Sequence, residues 1–157
     1  MKILQYLFIS LSHKILKILP YRLIRLLSVP IGTLYFLLTF RSSIKLFKRR
    51  KIFEKLKINY KPLIVKINYT RYWLETLWLT NKNFSKHITP HVEIENQEYV
   101  DKLKKQYPGL IFALPHLGNW EFAIPIGNSI KLNLLAVAEP LSNSYVLNWF
   151  KSLRESL

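Results

Sequence analysis

Apolar residues recur at helical spacing along the first part of the chain. They form one stripe with basic residues beside it, which is the pattern of an amphipathic helix. Pro20 lacks the backbone donor that a helix interior needs, so we expect the helix to break or bend there. The stripe consists of Ile3, Leu4, Leu7, Phe8, Leu11, Ile15, Ile18 and Leu19.

The next segment, Leu26 to Phe40, carries no charge over fifteen residues. A helix needs ~20 apolar residues to span a bilayer, and Pro30 and Gly32 interrupt this shorter run. We therefore predict a re-entrant or interfacial hairpin rather than a spanning helix. Because basic residues interrupt the preceding apolar stripe and no small-residue cleavage site follows it, we expect the region to be retained rather than removed as a signal peptide.

Helical patterns return after a basic stretch. Pro62 suits the first turn of an aromatic helix that we predict as far as about Thr80, where a polar break begins. Asn96 is a suitable cap for a short helix through Lys105. A final amphipathic helix is predicted to begin near Ser144.

Two short apolar runs between these helices have the pattern of strands. Residues 109–115 and 132–138 are continuously apolar or nearly so, as in parallel strands that are buried on both faces. A segment of helical length starting near Asn119 connects them, which predicts a strand, helix, strand unit with a right-handed crossover. We therefore predict an α/β fold. Residues 1–60 would form a helical, membrane-associated segment, and residues 61–157 the first part of an α/β domain with a mainly parallel sheet.

The charge of the chain is concentrated in its first half. The formal net charge is +15, and residues 1–71 hold sixteen of the 24 Lys and Arg residues but only one of the nine acids, Glu54. Such asymmetry indicates a polyanionic partner, either nucleic acid or an anionic membrane surface. The apolar content favours anionic membrane lipids over nucleic acid, and a solvated basic helix face is the plainer alternative. The densest cluster consists of Arg41, Lys45, Lys48, Arg49, Arg50, Lys51, Lys55 and Lys57.

Candidate chemistry lies at the end of the first predicted strand. His116 follows that strand directly, at the edge where α/β sheets hold ligands, and Glu121 lies five residues later. Gly118 allows the chain to bend so that the carboxylate can reach one imidazole nitrogen and leave the other for substrate. Such a pair can take a proton from a hydroxyl, as His and Asp do in hydrolytic triads.

The alternatives to this site are limited by residue types. Of the four histidines, His116 alone has an acid five positions later, and the chain has no cysteine, which excludes a thiolate nucleophile and a Cys-based zinc site. No Ser accompanies the pair in its own segment, so direct attack by an acceptor hydroxyl is favoured, although Ser129 and Ser142 leave a covalent route open. His87 and His91 are interpreted as surface loop residues.

The sequence around this pair resembles a known signature. Residues 113–123, A-L-P-H-L-G-N-W-E-F-A, resemble the signature of the late lipid A acyltransferases and of the related phosphatidylinositol mannoside acyltransferases. Residues 69–77 and 137–139 resemble the same group. The resemblance covers most of the chain but only the amino-terminal half of such enzymes, and it implies a lysophospholipid-acyltransferase-like fold.

The resemblance also implies an activity and its residues. The enzyme would move a fatty acyl group from acyl-CoA or acyl carrier protein to a hydroxyl of a lipid A-like or phosphatidylinositol mannoside-like glycolipid, with His116 and Glu121 as the catalytic pair. Glu139 and Arg154 would bind the acceptor headgroup, and Gly118 and Asn119 would support the substrate site. No metal or bound cofactor is expected, and the location would be the cytoplasmic face of the bacterial inner membrane.

Two further classes remain open from the residues alone. One is a non-catalytic, membrane-associated fragment of this family, and the other is a basic nucleic-acid-binding module. Acyl transfer by the purified chain separates the first from an enzyme, and binding to anionic vesicles but not to RNA excludes the second.

Overall fold

Helices account for 69% of the residues that the computed structural model describes, and no strand occurs among them. These residues are 1–40, 52, 54, 55, 57, 61–113, 117–132, 135, 137 and 140–157. They form two compact units, of which the first combines Met1–Asn81 with Ala136–Leu157 and the second is Lys82–Leu135. The predicted α/β fold with a parallel sheet is therefore wrong for the described part of the chain.

The two predicted strands show why the sheet prediction failed. Residues 109–113 form no ladder, and Ile111 is fully exposed; in the second run Leu135 and Val137 are also fully exposed. An apolar run indicates a tendency to be buried, but a strand exists only where a partner supplies hydrogen bonds, and sequence does not identify that partner. The rest of the two runs, residues 114, 115, 133, 134, 136 and 138, lies outside the described residues.

The first two helices are separated at the predicted proline. Helix α1 is Lys2–Leu16, and α2 is Tyr21–Leu38 with Pro20 in extended conformation immediately before it. Pro30 lies inside α2, which continues through it, so the predicted hairpin is wrong. The hydroxyl of Ser28 donates to the Arg25 carbonyl at 2.6 Å, in the turn before the proline.

Helix α2 is long and apolar enough to cross a membrane by length and composition. Core helices of soluble proteins and signal sequences can meet the same criterion, but a core helix is mostly buried, whereas only 17% of this segment is buried within the structure. The outward side of α2 therefore presents a large apolar surface. Its exposed apolar residues include Leu23, Leu26, Val29, Leu34 and Leu37.

Helix α3 (Pro62–Trp78) packs along α2 at very short range. A Cβ atom placed on Gly32 would lie 2.6 Å from the Cα atom of Ile67, closer than real Cβ contacts come. The glycine therefore lets the two backbones touch, as small residues do in tightly crossing helices. Further along the pair, the Tyr21 hydroxyl donates to the buried Glu75 carboxylate at 3.0 Å.

The end of α3 holds the turn between α1 and α2. Trp78 is fully buried, its Nε1 donates to the Leu19 carbonyl at 2.9 Å, and its ring contacts that of Tyr21 at 5.0 Å between centroids. The Asn81 amide donates to the Lys17 carbonyl. Two side chains at and just beyond the end of α3 thus bond carbonyls of the turn that follows α1.

The last helix, α7 (Ser144–Glu155), packs on α1. Val146, Phe150 and Leu153 are buried on α7, and the residues packed against them include Tyr6 and Ile9 of α1 and Trp73 of α3. His13 joins the same three helices, since its Nε2 lies 2.7 Å from the Thr80 hydroxyl oxygen just beyond α3, and its ring meets Trp149 edge-on at 5.4 Å.

Helix α1 therefore has two different sides. Tyr6, Ile9, His13 and Leu16 face the protein, at the spacing of one helical stripe. The predicted amphipathic helix is confirmed, and its apolar stripe lies on the other side, exposed. Its members include Leu4 and Phe8, both 71% exposed, and Leu11 and Ile15.

The second unit consists of short helices. Helix α4 is Phe84–His87, followed by a 3-10 turn at Thr89–His91; α5 is Gln97–Gln106; a second 3-10 turn, Trp120–Phe122, leads into α6, Ala123–Ser129. Phe84 is buried against the ring of Phe122 at 5.5 Å. The Lys104 ammonium lies 3.5 Å and 3.4 Å from the carbonyls of Ile130 and Lys131, beyond the end of α6.

The close contact of α2 and α3 predicts the effect of adding one methyl group. Gly32→Ala should destabilise the protein by about 1–3 kcal/mol through overpacking, although alanine favours a helix by about 1 kcal/mol. In thermal unfolding followed by circular dichroism, Tm should fall by about 3–10 °C. Gly109→Ala is the matched control, because nothing lies within 4 Å of its added Cβ atom. An unchanged Tm in Gly32→Ala would contradict the contact.

The contacts of His13 predict a pH dependence of stability. Burial, and secondarily the charge of Lys17, hold the pKa of His13 below its ordinary value of 6.5. The unfolded chain therefore binds the proton more readily, and the contribution of His13 to stability is present above pH 6.5 and is lost as pH falls through the folded pKa. Between pH 7.5 and 5.5, Tm should fall further in the wild type than in His13→Gln; equal slopes would contradict this role.

Candidate functional site

The turn before the second 3-10 helix is set by a glycine. Gly118 has φ +61°, a left-handed conformation that residues with a Cβ atom rarely adopt. Nothing lies within 4 Å of the position that a Cβ atom would occupy, so backbone conformation rather than space requires glycine here. The bend lies two residues after His116 and three before Glu121.

Asn119 starts the helical segment that carries Glu121. Its side-chain oxygen accepts a hydrogen bond from the Glu121 backbone N–H at 3.2 Å, as a helix cap does. The chain makes a 3-10 turn at Trp120–Phe122 and then enters α6, which corresponds to the helix predicted to start near Asn119. The cap therefore fixes the backbone from which the Glu121 side chain projects.

Glu121 is completely buried. Phe122, which follows it, packs against Phe84 and is part of the apolar surroundings of this turn. Burying a carboxylate away from water costs free energy unless hydrogen-bond donors or cations surround it. The complete burial of Glu121 at the start of a helical segment is therefore a chemically unusual feature of the second unit.

The candidate residues are distributed over both units. Gly118, Asn119 and Glu121 lie together in one turn of the second unit, whereas Arg154 lies on α7 in the first. His116 and Glu139 lie outside the described residues. Most of the basic cluster at residues 41–57 does so as well, and Lys55 and Lys57 are exposed. Within the described ranges, no group of three or more His, Asp and Glu residues is arranged to hold a metal ion.

Arg154 is supported by an aromatic cluster. Its guanidinium carbon lies 5.4 Å from the centroid of the Phe150 ring. Phe150 is buried and contacts the rings of Trp73 and Trp149 at 5.9 Å and 4.9 Å. A planar guanidinium over such a ring keeps its donor groups at the edge of the plane, where a carboxylate, phosphate or sugar oxygen can meet them.

Two buried polar residues were not singled out by sequence reasoning. Asn143 accepts a hydrogen bond from the Tyr145 N–H at 3.1 Å and donates from its amide to the Lys2 carbonyl at 3.0 Å. The capping role was recognisable, because Asn directly precedes the predicted helix start at Ser144. Glu75, the other residue, lies in an aromatic helix, and its burial has no local signal.

The chain matches a protein-family model. A family model described as bacterial lipid A biosynthesis acyltransferase matches residues 1–157, the whole chain. Comparisons with curated proteins and with solved structures find no match. The family implies an acyl donor and a lipid acceptor, and its members are generally membrane-associated. The match over residues 1–157 shows that the chain belongs to the bacterial lipid A biosynthesis acyltransferase family and is an acyltransferase.

Proposed function

We propose that the protein transfers a fatty acyl group from acyl-CoA or acyl carrier protein to a hydroxyl of a glycolipid, either lipid A-like or phosphatidylinositol mannoside-like. The observation that carries this proposal is the burial of Glu121, five residues after His116 and three after the left-handed turn at Gly118. The imidazolium that forms when His116 takes a proton is a cation that a buried carboxylate stabilises strongly. This is the electrostatic requirement of a general base.

The reaction follows from these roles. In the proposed reaction, one imidazole N–H of His116 donates a hydrogen bond to the Glu121 carboxylate. The other imidazole nitrogen removes the proton of the acceptor hydroxyl as the hydroxyl oxygen attacks the thioester carbonyl. The carbon–sulfur bond then breaks, and the proton on His116 passes to the departing thiolate. The products are the acylated glycolipid and the free thiol of the carrier. A backbone N–H near Gly118 is a candidate donor to the developing oxyanion.

Acceptor binding is assigned to Glu139 and Arg154. A carboxylate accepts hydrogen bonds from sugar hydroxyls, and a guanidinium donates in a fixed fork to hydroxyl or phosphate oxygens. The contact of the Arg154 guanidinium with the Phe150 ring supports the assignment of Arg154, because it limits the motion of that side chain before the acceptor binds. The assignment of Glu139 rests on the sequence resemblance.

The reaction would take place at the cytoplasmic face of the bacterial inner membrane. The exposed stripe of α1 and the outward surface of α2 are apolar, and the exposed Lys14 and Lys17 flank them with positive charge. Such a surface fits anionic lipid, because the apolar side chains can contact the acyl chains and the lysines can contact the anionic headgroups. Phosphate groups of nucleic acid would leave the apolar stripe in water, so this partner is disfavoured.

The catalytic assignment predicts the outcome of single substitutions. His116→Ala should lower acyl transfer by 10²-fold or more, because it removes a positioned general base. Glu121→Gln should lower it in the same direction, because the imidazolium loses its counter-charge. The measurement is transfer of a labelled acyl chain from acyl-CoA to glycolipid in detergent. His91→Ala is the control, because His91 is an exposed histidine of a 3-10 turn.

The outcomes of this assay distinguish the classes of function. Retained activity in His116→Ala would remove the assigned base. Absence of transfer in the folded wild-type protein, with binding to vesicles intact, would instead favour the non-catalytic membrane protein. Circular dichroism of each variant establishes that the fold is preserved.

The exposed stripe of α1 predicts the determinant of membrane binding. Replacing Leu4 and Phe8 by Ser should weaken binding to phosphatidylglycerol-containing vesicles at least about tenfold, since burying each side chain contributes about 2 kcal/mol. Binding should also weaken as salt rises. The control is Tyr99→Ser with Ile111→Ser, which alters two exposed apolar positions of the second unit. Equal loss of sedimentation with vesicles in both double variants would argue against α1.

A further inference from the structure

The helix that carries Arg154 is joined to α1 by a polar junction whose central residue, Asn143, is buried. Asn143 donates from its amide to the Lys2 carbonyl at 3.0 Å and to the Gln5 side-chain oxygen at 2.9 Å. The Lys2 ammonium donates in turn to the Ser142 carbonyl at 2.9 Å. These four residues, Lys2, Gln5, Ser142 and Asn143, are called the α1–α7 junction below.

Asn143 has two separable roles in this junction. Its oxygen accepts from the Tyr145 N–H and caps α7, while its amide nitrogen makes both bonds to α1. Asn143 is only 6% exposed. If either its side-chain oxygen or its amide nitrogen lost its hydrogen bonds, water could not readily supply new ones. An asparagine supplies the donor and the acceptor at once, which aspartate does not.

The contact between the two helices continues below the junction. The rings of Tyr6 and Tyr145 lie 6.1 Å apart, and His13 meets Trp149 edge-on one helical segment further along. The next residue, Phe150, supports the Arg154 guanidinium. A chain of direct contacts therefore runs from the first turn of α1 to Arg154.

The opposite side of α1 carries the exposed apolar stripe. The helix that would contact lipid is therefore the same helix that holds α7. A glycolipid acceptor is anchored in the bilayer, so its headgroup lies at a limited depth relative to that surface. A side chain that is to meet this headgroup has to be held at a matching depth, and a loosely attached α7 would not hold it there.

We propose that Asn143 is a positioning residue for the lipid acceptor: by joining α7 to the lipid-facing α1, it holds Arg154 at the depth of the acceptor headgroup. This inference rests on the proposed function, in which Arg154 binds the acceptor. Asn143 itself does not touch the substrate. Hydrolysis of the acyl donor by water needs no headgroup contact, so it does not depend on the junction.

The test compares acyl transfer and donor hydrolysis in Asn143→Asp. Aspartate still caps α7, but it brings a carboxylate against the two oxygens of Lys2 and Gln5 that the amide bonded. In anionic vesicles that contain the glycolipid, KM for the acceptor should rise about tenfold, while hydrolysis of acyl-CoA by water stays within about twofold of the wild type. Asn96→Asp is the control for the added charge, because Asn96 is exposed and its side chain makes no cap bond to α5.

Gln5→Ala is the second variant. It removes one acceptor of the junction and leaves the cap of α7 intact, so it should raise acceptor KM by a smaller factor, and it carries the test if Asn143→Asp does not fold. An unchanged acceptor KM in the folded variants overturns the proposal. A parallel fall of transfer and hydrolysis also overturns it, because that pattern is the result of a merely structural role.

Arg154→Ala separates this inference from the function on which it rests. If Arg154→Ala raises acceptor KM and the junction variants do not, the positioning role of Asn143 is wrong and the proposed acceptor site stands. If Arg154→Ala leaves acceptor KM unchanged, the assignment of the acceptor site is wrong, and the inference falls with it. Absence of acyl transfer in the folded wild type overturns both.

Discussion

The first unit depends on the backbone contact between α2 and α3 at Gly32. Two helices with ordinary side chains at their contact lie 8–10 Å apart, and the absence of a Cβ atom at Gly32 allows a closer approach against Ile67. This approach places Tyr21 against Glu75 at one end of the pair, and Trp78 against the turn that precedes α2. The same turn sets the direction of α1, and α1 in turn holds α7. Through this turn and α1, the packing of α2 on α3 is connected to the helix that carries Arg154.

Polar side chains complete the helix ends that this packing brings together. Trp78 and Asn81 donate to carbonyls of the turn that follows α1, and Asn143 donates to a carbonyl in the first turn of α1. These contacts specify direction more than they add stability, because a buried donor has a narrow range of acceptable angles, whereas apolar packing tolerates rotation. The first unit therefore combines a large apolar outer surface with well-defined helix junctions.

Features that depend on neighbouring residues were predictable from sequence. The periodicity of α1, the break at Pro20, the start of α3 at Pro62 and the cap at Asn119 each arise within one or two turns. Gly32 was misinterpreted because its reason lies in Ile67, a residue of another helix: a glycine that permits close packing looks the same in sequence as one that ends a helix. The strand predictions failed for a related reason, since 109–113 is apolar but its hydrogen-bond partner is not encoded locally.

The junction made by Asn143 was not predictable, because its partners, Lys2 and Gln5, are about 140 residues away in sequence. In the candidate site, the bend at Gly118 and the cap at Asn119 follow from local rules, whereas the burial of Glu121 is a tertiary property.

The first unit is assembled from two separate stretches of chain, Met1–Asn81 and Ala136–Leu157, with the second unit between them. Contacts between α2 and α3 join residues that are close enough in sequence to form early. By contrast, α7 can pack on α1 only after the intervening residues have left the ribosome. Until then α3 can pack on the inward side of α1, but Tyr6 and Ile9 lack the cover that α7 supplies. A nascent chain of this kind has two apolar sides on its first helix. If the exposed stripe of α1 binds a membrane during synthesis, α1 is kept from aggregating until α7 packs on its inward side.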